Sequence, residues 1–261
     1  MAILERYDTQ AIARLTLNAP ERLNSLSDEM MSALQAELEA IAKDSSIRAV
    51  ILAGAGKAFC AGHDLKQMTA RRAADDGGKA YFADLFTRCS TLMLTIQSIP
   101  QPVIAEVHGI ATAAGCQLVA TCDLAVAADD TRFGVNGINI GLFCATPMVA
   151  LTRNIPRKKA FEMLTTGRFI HADEAEHIGL INAAVPADQL RAETEALAQK
   201  LAEKIKAVVK IGKEAFYSQS TMSTSEAYDY AADVMVQNML FKDTEEGISA
   251  FLGKRAPNWQ Q

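Results

Sequence analysis

Apolar and polar positions alternate in part along residues 11–17 (AIARLTL), which predicts a strand, and Asn18-Ala19-Pro20 ends it. Ser27 suits the N-cap of a following helix, with Asp28 and Glu29 in the first turn, where the helix dipole favours acid. Met31, Leu34, Leu38 and Ile41 share one face of that helix, Glu37 and Glu39 look outward, and Asp44-Ser45-Ser46 breaks it. Residues 48–53 (RAVILA) are almost wholly apolar, as in a strand buried on both faces. The stretch 66–79 holds Arg71, Arg72, Asp75, Asp76, Gly77 and Gly78; its weak periodicity predicts a mobile loop or a frayed helix. Helical spacing returns at Phe82, Leu85, Phe86, Cys89, Met93 and Ile96 and stops at Ile99-Pro100-Gln101-Pro102. A strand over 102–107 (PVIAEV), a turn at His108-Gly109, a helix-like run and another short strand over 124–128 (LAVAA) follow. Beyond Phe133-Gly134 the pattern is mainly helical: 147–152, 157–165, 172–178, a long amphipathic helix over 190–211, then 225–240 and 245–252. A brief extended piece is expected around Ala184-Val185.

Strands alternating with helices from residue 11 to about 128 argue for an α/β domain with crossover connections. Two turns rich in small residues each follow an apolar strand: 54–65 (GAGKAFCAGHDL) and 108–115 (HGIATAAG). Small residues let a ligand approach the backbone, and the free N–H groups of a first helical turn suit negative charge, the geometry of an oxyanion site. Tight packing at a corner accounts for the same composition. Ligands of such sheets bind at the carboxyl ends of strands, where both turns fall, so the two are expected to face one pocket.

The formal net charge of −5 over 261 residues lacks the basic footprint of nucleic-acid binding. No apolar run reaches the roughly 20 residues of a membrane span. The opening MAILERYDTQ carries Glu5 and Asp8 and no basic-then-apolar leader, so a cytoplasmic location is expected. Cys60, Cys89, Cys116, Cys122 and Cys144 include no C-x-x-C pair, so free thiols and no metal are expected.

Five segments in order then carry a resemblance: NAPERLNSLSDEM (18–30), KAFCAGHDLK (57–66), HGIATAAGCQLVATCDLAVAADDTRFG (108–134), TGRFIHADEAEHIGLIN (166–182) and FLGKRAPNW (251–259). Over nearly the whole chain they are similar to the crotonase, or enoyl-CoA hydratase/isomerase, superfamily. The resemblance implies an α/β fold: a spiral of ββα units in a core domain, 1–195, then a C-terminal helical trimerisation region, 196–261. It implies a homotrimer or a dimer of trimers. It implies an acyl-CoA thioester as ligand, with coenzyme A part of the substrate and no separate cofactor. The thioester oxygen would sit between the backbone N–H groups of His63 and Ala114. Arg22, Leu23, Lys57, Ala61, Leu65 and Lys66 match positions that hold the adenine and phosphates of CoA. Phe251 and Lys254 match terminal-helix positions that reach CoA, often from the adjacent subunit.

The chain departs from the family pattern where the chemistry lies. Hydratases of this family carry a glutamate early in the central helix and a second one in F-G-x-P-E. Two carboxylates let one group activate water while the other delivers a proton. Here the positions hold Gln117 and Gly137. A later acidic position of some members is Ala145. Glutamine has no useful pKa. The resemblance is nearest to a subgroup that lacks both glutamates and shares G-H-D-L at 62–65. Three functions remain open: a lyase or isomerase of CoA thioesters, as the family label has it; a CoA-ester binder without hydratase chemistry; and a CoA-ester decarboxylase or thioesterase that relies on the hole. The His63 imidazole either exchanges protons near neutral pH or turns away behind its own amide. Asn136, Asn139, Cys116 and Cys144 flank the missing acid in sequence, and Asp75 and Asp76 either swing in or stay solvated. His108 is expected to fix its turn, with His171 and His177 at the surface or in packing.

Overall fold

The computed structural model describes residues 2–260. Antiparallel β1 (Leu4–Thr9) and β2 (Ile12–Leu17) open the chain. The sequence pattern does not predict β1, because most of its residues are exposed and it shows no buried face. A 3-10 turn at Pro20–Arg22 leads to α1 (Asp28–Lys43), capped as expected: Ser27 Oγ accepts from the Met30 N–H at 3.2 Å. Next come β3 (Ala49–Gly54), α2 (Leu65–Arg71), α3 (Lys79–Ser98), β4 (Val103–Val107), β5 (Ile110–Thr112), α4 (Ala114–Thr121), β6 (Leu124–Ala128) and β7 (Arg132–Gly134). After a 3-10 turn at Asn136–Ile140 the chain forms α5 (Ala145–Asn154), α6 (Arg157–Thr166), β8 (Phe169–His171), α7 (Ala172–His177) and β9 (Ala183–Val185). It ends in α8 (Leu190–Ala202), α9 (Lys206–Gln219), α10 (Thr224–Met239) and α11 (Lys242–Leu252).

The main sheet has six strands in the order β1-β2-β3-β4-β6-β9 and is parallel from β2 onward. A three-stranded sheet, β5-β7-β8, stands apart from it. The residues of α1, α3 and α4 that face inward, among them Leu34, Leu38, Leu92, Ile96 and Leu118, join one apolar core with Leu15, Leu52 and Val103. A smaller cluster puts Ala198 of α8 against Ile12, Ile51 and Ile104. Residues 195 and 196 therefore lie inside a helix that belongs to the sheet's packing.

One expectation is decided and one corrected. The stretch 66–79 takes the helical alternative in its first half: Asp64 Oδ1 accepts from the Lys66 and Gln67 N–H groups at 2.9 and 3.1 Å, and that cap starts α2. The remaining turns end at Asp76, whose carboxylate accepts from Gly78 and Ala80 N–H, both at 2.8 Å, at the mouth of α3. The long helix over 190–211 is two helices, α8 and α9. Ile205 takes an extended conformation (φ −63, ψ 116), and the Lys204 carbonyl there accepts from Arg48 Nη2 at 2.6 Å. Leu197, Leu201 and Ile205 keep helical spacing through the corner, so periodicity alone cannot locate it.

No residue of α9 or α10 is fully buried. A cluster at the base of the sheet holds α9 to the core. Lys213 Nζ donates to Asp123 Oδ2 at 2.6 Å and to the carbonyls of Ile96 and Gln101 at 2.8 and 2.9 Å. Tyr217 OH donates to Asp123 Oδ1 at 2.8 Å, and the Val103 N–H donates to Oδ2 at 2.7 Å.

Candidate functional site

The two small-residue turns meet. The Cys60 N–H donates to the Ile110 carbonyl at 3.2 Å and the Thr112 N–H to the Cys60 carbonyl at 3.0 Å, which sets 60–63 alongside β5. Gly115 packs α4 onto this pair, for a Cβ on it would run into the Cys60 carbonyl oxygen. Gly62 has φ +91, a left-handed value that favours glycine, and its α-carbon faces Ala113 and Ala114: a Cβ there would lie 3.3 Å from the Ala114 nitrogen. The Gly62 carbonyl accepts from the Leu26 N–H at 2.8 Å, so the peptide that carries the His63 amide is fixed from the far side. Ala113 takes φ 50, ψ −119 as it enters α4, a strained value for a residue with a Cβ, and its N–H donates to the Gly134 carbonyl at 2.9 Å. Among the described residues, neither the His63 nor the Ala114 amide donates to a protein acceptor. Two neighbouring unspent N–H groups, one of them in the first turn of a helix, form the arrangement in which a carbonyl oxygen is polarised.

Gln117 lies one turn into α4, is 4% exposed, and its Oε1 has no partner. Gly137 is also buried, in the 3-10 turn. A Cβ on it would run into the Leu142 carbonyl oxygen and lie 2.9 Å from Cys144 Sγ. The position expected for a second acid is thus closed by backbone, not vacant. Asn136 Oδ1 accepts from Thr112 Oγ1 at 2.7 Å, and Asn139 is bound to the Gly167 carbonyl at 3.4 Å. Asp76 is spent as a helix cap, its pKa lowered by the Ala80 and Gly78 amides. Burial pushes the Cys116 thiol up to about 12 and raises Cys144 as well, so both are protonated and poor nucleophiles. His108 Nε2 meets the Gly56 carbonyl at 2.8 Å and fixes its turn, while His171 and His177 are exposed.

The His63 ring turns toward α1 and α3. It packs edge-on against Phe86, ring centroids 5.8 Å apart, with Nδ1 3.4 Å from the Leu26 carbonyl oxygen. Burial lowers its pKa, opposed by that carbonyl. Asp28 acts on the ring electrostatically but is held by Arg88 Nη2 at 2.6 Å and by Tyr81 OH at 3.3 Å.

The remaining expected positions divide. Leu23 accepts the Ala61 N–H at 3.0 Å, and Arg22 Nη1 stands 3.7 Å from Asp64 Oδ2, so Arg22, Leu23 and Ala61 gather beside the hole with Leu65 and Lys66 at the start of α2. Lys57 is exposed on the turn before it. Phe251 and Lys254 lie exposed on and just after α11, whose hydrogen bonds among the described residues stay within residues 238–260. Sequence reading passed over Asn24. Buried at φ 53, it accepts the Ala19 N–H at 2.9 Å and donates to the Ala55 and Ala58 carbonyls, both at 2.8 Å, tying the 19–24 turn to the 54–62 turn. An asparagine beside a turn is the one signal for it. Among the described residues no cluster of histidine, cysteine or acid suits a metal, and no helix is long and apolar enough to cross a membrane.

Known proteins share this architecture. A solved structure described as an enoyl-CoA hydratase from Mycobacterium smegmatis superimposes with a TM-score of 0.95 at 50% identity, covering 100% of both chains. The structure of human enoyl-CoA hydratase domain-containing protein 3 gives 0.93 at 42% identity over 98% of this chain and 100% of that one. The Xenopus laevis protein of the same name is 46% identical over 95% of this chain and 83% of its own length. The Xenopus and human proteins are named mitochondrial, and this overturns the cytoplasmic location expected from the N-terminal composition. The enoyl-CoA hydratase/isomerase profile matches residues 8–261. With fold, sequence and the paired turns in agreement, the chain belongs to the enoyl-CoA hydratase/isomerase family.

Proposed function

We propose that the protein holds an acyl-CoA thioester with its carbonyl oxygen between the His63 and Ala114 amides, and that it does not hydrate enoyl-CoA by the family's two-carboxylate route. The observation that carries the second half is Gly137, where the Leu142 carbonyl fills the space a side chain would need. The first half rests on two adjacent amides without acceptors. Such donors stabilise an enolate-like oxyanion, and losing one costs about 3 kcal/mol of transition-state stabilisation. Arg22, Leu23, Lys57, Ala61, Leu65 and Lys66 supply the CoA side, the cations acting on phosphate charge. Phe251 and Lys254, exposed on and just after α11, reach the CoA of a neighbouring subunit in a trimer or a dimer of trimers. The exposed apolar residues Phe216, Tyr228, Met235, Val236, Leu240 and Leu252 supply surface for that assembly.

A second reading is favoured by the same pairing of a hole with no acid. Decarboxylation of a CoA ester breaks the C–C bond to the carboxylate, releases CO2 and leaves the electron pair as an enolate in the hole; a proton from solvent completes it. No general base is needed.

Calorimetry with CoA esters is expected to show binding, and crotonyl-CoA hydration is expected to be absent. Gln117→Glu with Gly137→Glu is expected not to create hydration. Robust hydration by the unaltered protein, lost in Gln117→Ala, overturns the first reading; CO2 release from a malonyl-type ester, followed by mass spectrometry, establishes the second.

A further inference from the structure

The end of α11 is held by its own tail. Lys254 takes φ 50; its N–H donates to the Phe251 carbonyl at 3.2 Å, and the Arg255 N–H donates to the Ala250 carbonyl at 3.0 Å. These two bonds make the left-handed turn that commonly closes a helix, and glycine is the residue that fits it without strain. A lysine there costs stability, and such a conformation persists only where its surroundings over-determine it. The tail does so. Glu246 of α11 accepts from Arg255 Nη1 and Nη2 at 2.6 and 2.9 Å and from the Asn258 N–H at 2.6 Å. Asp243 Oδ1 accepts from the Gln260 N–H at 2.6 Å. The Trp259 ring lies against Gly247, where a Cβ would come within 3.0 Å of it. The tail thus folds back along α11 to its first turn, with Lys254 at the reversal. Among the described residues the Lys254 ammonium has no hydrogen bond or ion pair.

A folded-back tail closes a helix end with glycine at the turn as well as with lysine. An unspent cation kept where glycine fits better is placed for a ligand of opposite charge. Resting on the acyl-thioester reading above, in which Lys254 meets CoA, we infer that residues 255–260 form a strap. Its positioning residues, Glu246, Arg255 and Trp259, hold Lys254 in the left-handed turn and so aim its ammonium at the phosphates of CoA. They act through Lys254 alone. A cation fixed before the ligand arrives loses less freedom on binding, so the strap raises affinity without adding a contact.

Isothermal titration of the full-length protein with acetyl-CoA, read beside the emission of Trp259, the chain's one tryptophan, tests this. Lys254→Gly is expected to keep or raise the thermal midpoint, because glycine relieves the turn, and to weaken binding about tenfold, the loss of one charge-assisted contact. Glu246→Ala is expected to shift the Trp259 emission to the red and to weaken binding by a similar factor. In the Lys254→Gly background, Glu246→Ala is expected to cost no further affinity, whereas a general loosening of the fold costs the same in both backgrounds. Arg255→Lys, which keeps a cation for Glu246, is expected to retain most of the affinity. Additive losses, an unshifted emission in Glu246→Ala, or full affinity once Trp259 is released each overturn the strap. Undiminished affinity in Lys254→Gly overturns the assignment while the acyl-thioester reading stands. Failure of the unaltered protein to bind acetyl-CoA overturns that reading, and this assignment with it.

Discussion

His63 combines on one residue an amide without a protein acceptor and an imidazole buried against Phe86. The buried ring also couples to stability. Burial lowers the folded-state pKa of His63, so below the unfolded value of about 6.5 the unfolded chain binds a proton that the folded one does not. Its contribution is therefore present above that pH and is lost as pH falls from about 6.5 toward the lower folded value. Urea midpoints measured between pH 7.5 and 5 are expected to fall with pH, and His63→Gln is expected to flatten that limb. An unchanged slope in the variant would remove His63 as its source.

At the scale of elements, α2 shows how one polar side chain decides a boundary. Asp64 caps the helix and faces Arg22, linking the turn at Gly62 to the segment expected at CoA. Asp64→Ala is expected to lose about 1 kcal/mol. Hydrogen exchange should read that loss as faster exchange of the Lys66 and Gln67 amides, with the amides of β3 unaffected. The same cap explains what the sequence did and did not disclose. Elements with one greasy face, such as α1 and α3, were legible because burial writes a period into the chain. So was β3, a run buried on both faces. In contrast, β1 buries too little to leave a pattern, α2 has no buried residue, and the corner at Ile205 preserves the spacing of its neighbours. The paired turns were legible as composition, whereas the closure over Gly137 depends on Leu142, whose backbone reaches it only through the folded loop.

Over the whole molecule, α9 is attached to the core more by a few polar contacts than by shared apolar packing. Lys213 is 8% and Asp123 14% exposed by side chain, and desolvation lowers the lysine's pKa while Asp123 opposes it. Removing one partner of a buried pair strands the other charge. Lys213→Met is accordingly expected to destabilise the protein by about 3–5 kcal/mol. Thermal unfolding should show this as a lower midpoint, and limited proteolysis as earlier cleavage between α8 and α9. Replacing both Lys213 and Asp123 by apolar residues should recover part of the loss, because no lone charge then remains.

The carbonyl of Leu142 against Gly137 bears on the paths open to this chain. Any side chain added at 137 meets the Leu142 backbone. The order of changes therefore matters: the 138–143 loop must be rebuilt first, and a rebuilt loop without the acid gains nothing by itself. On the proposed reading, point substitution alone gives no two-acid enzyme, so directed evolution toward hydration should advance only in libraries that vary the loop and position 137 together.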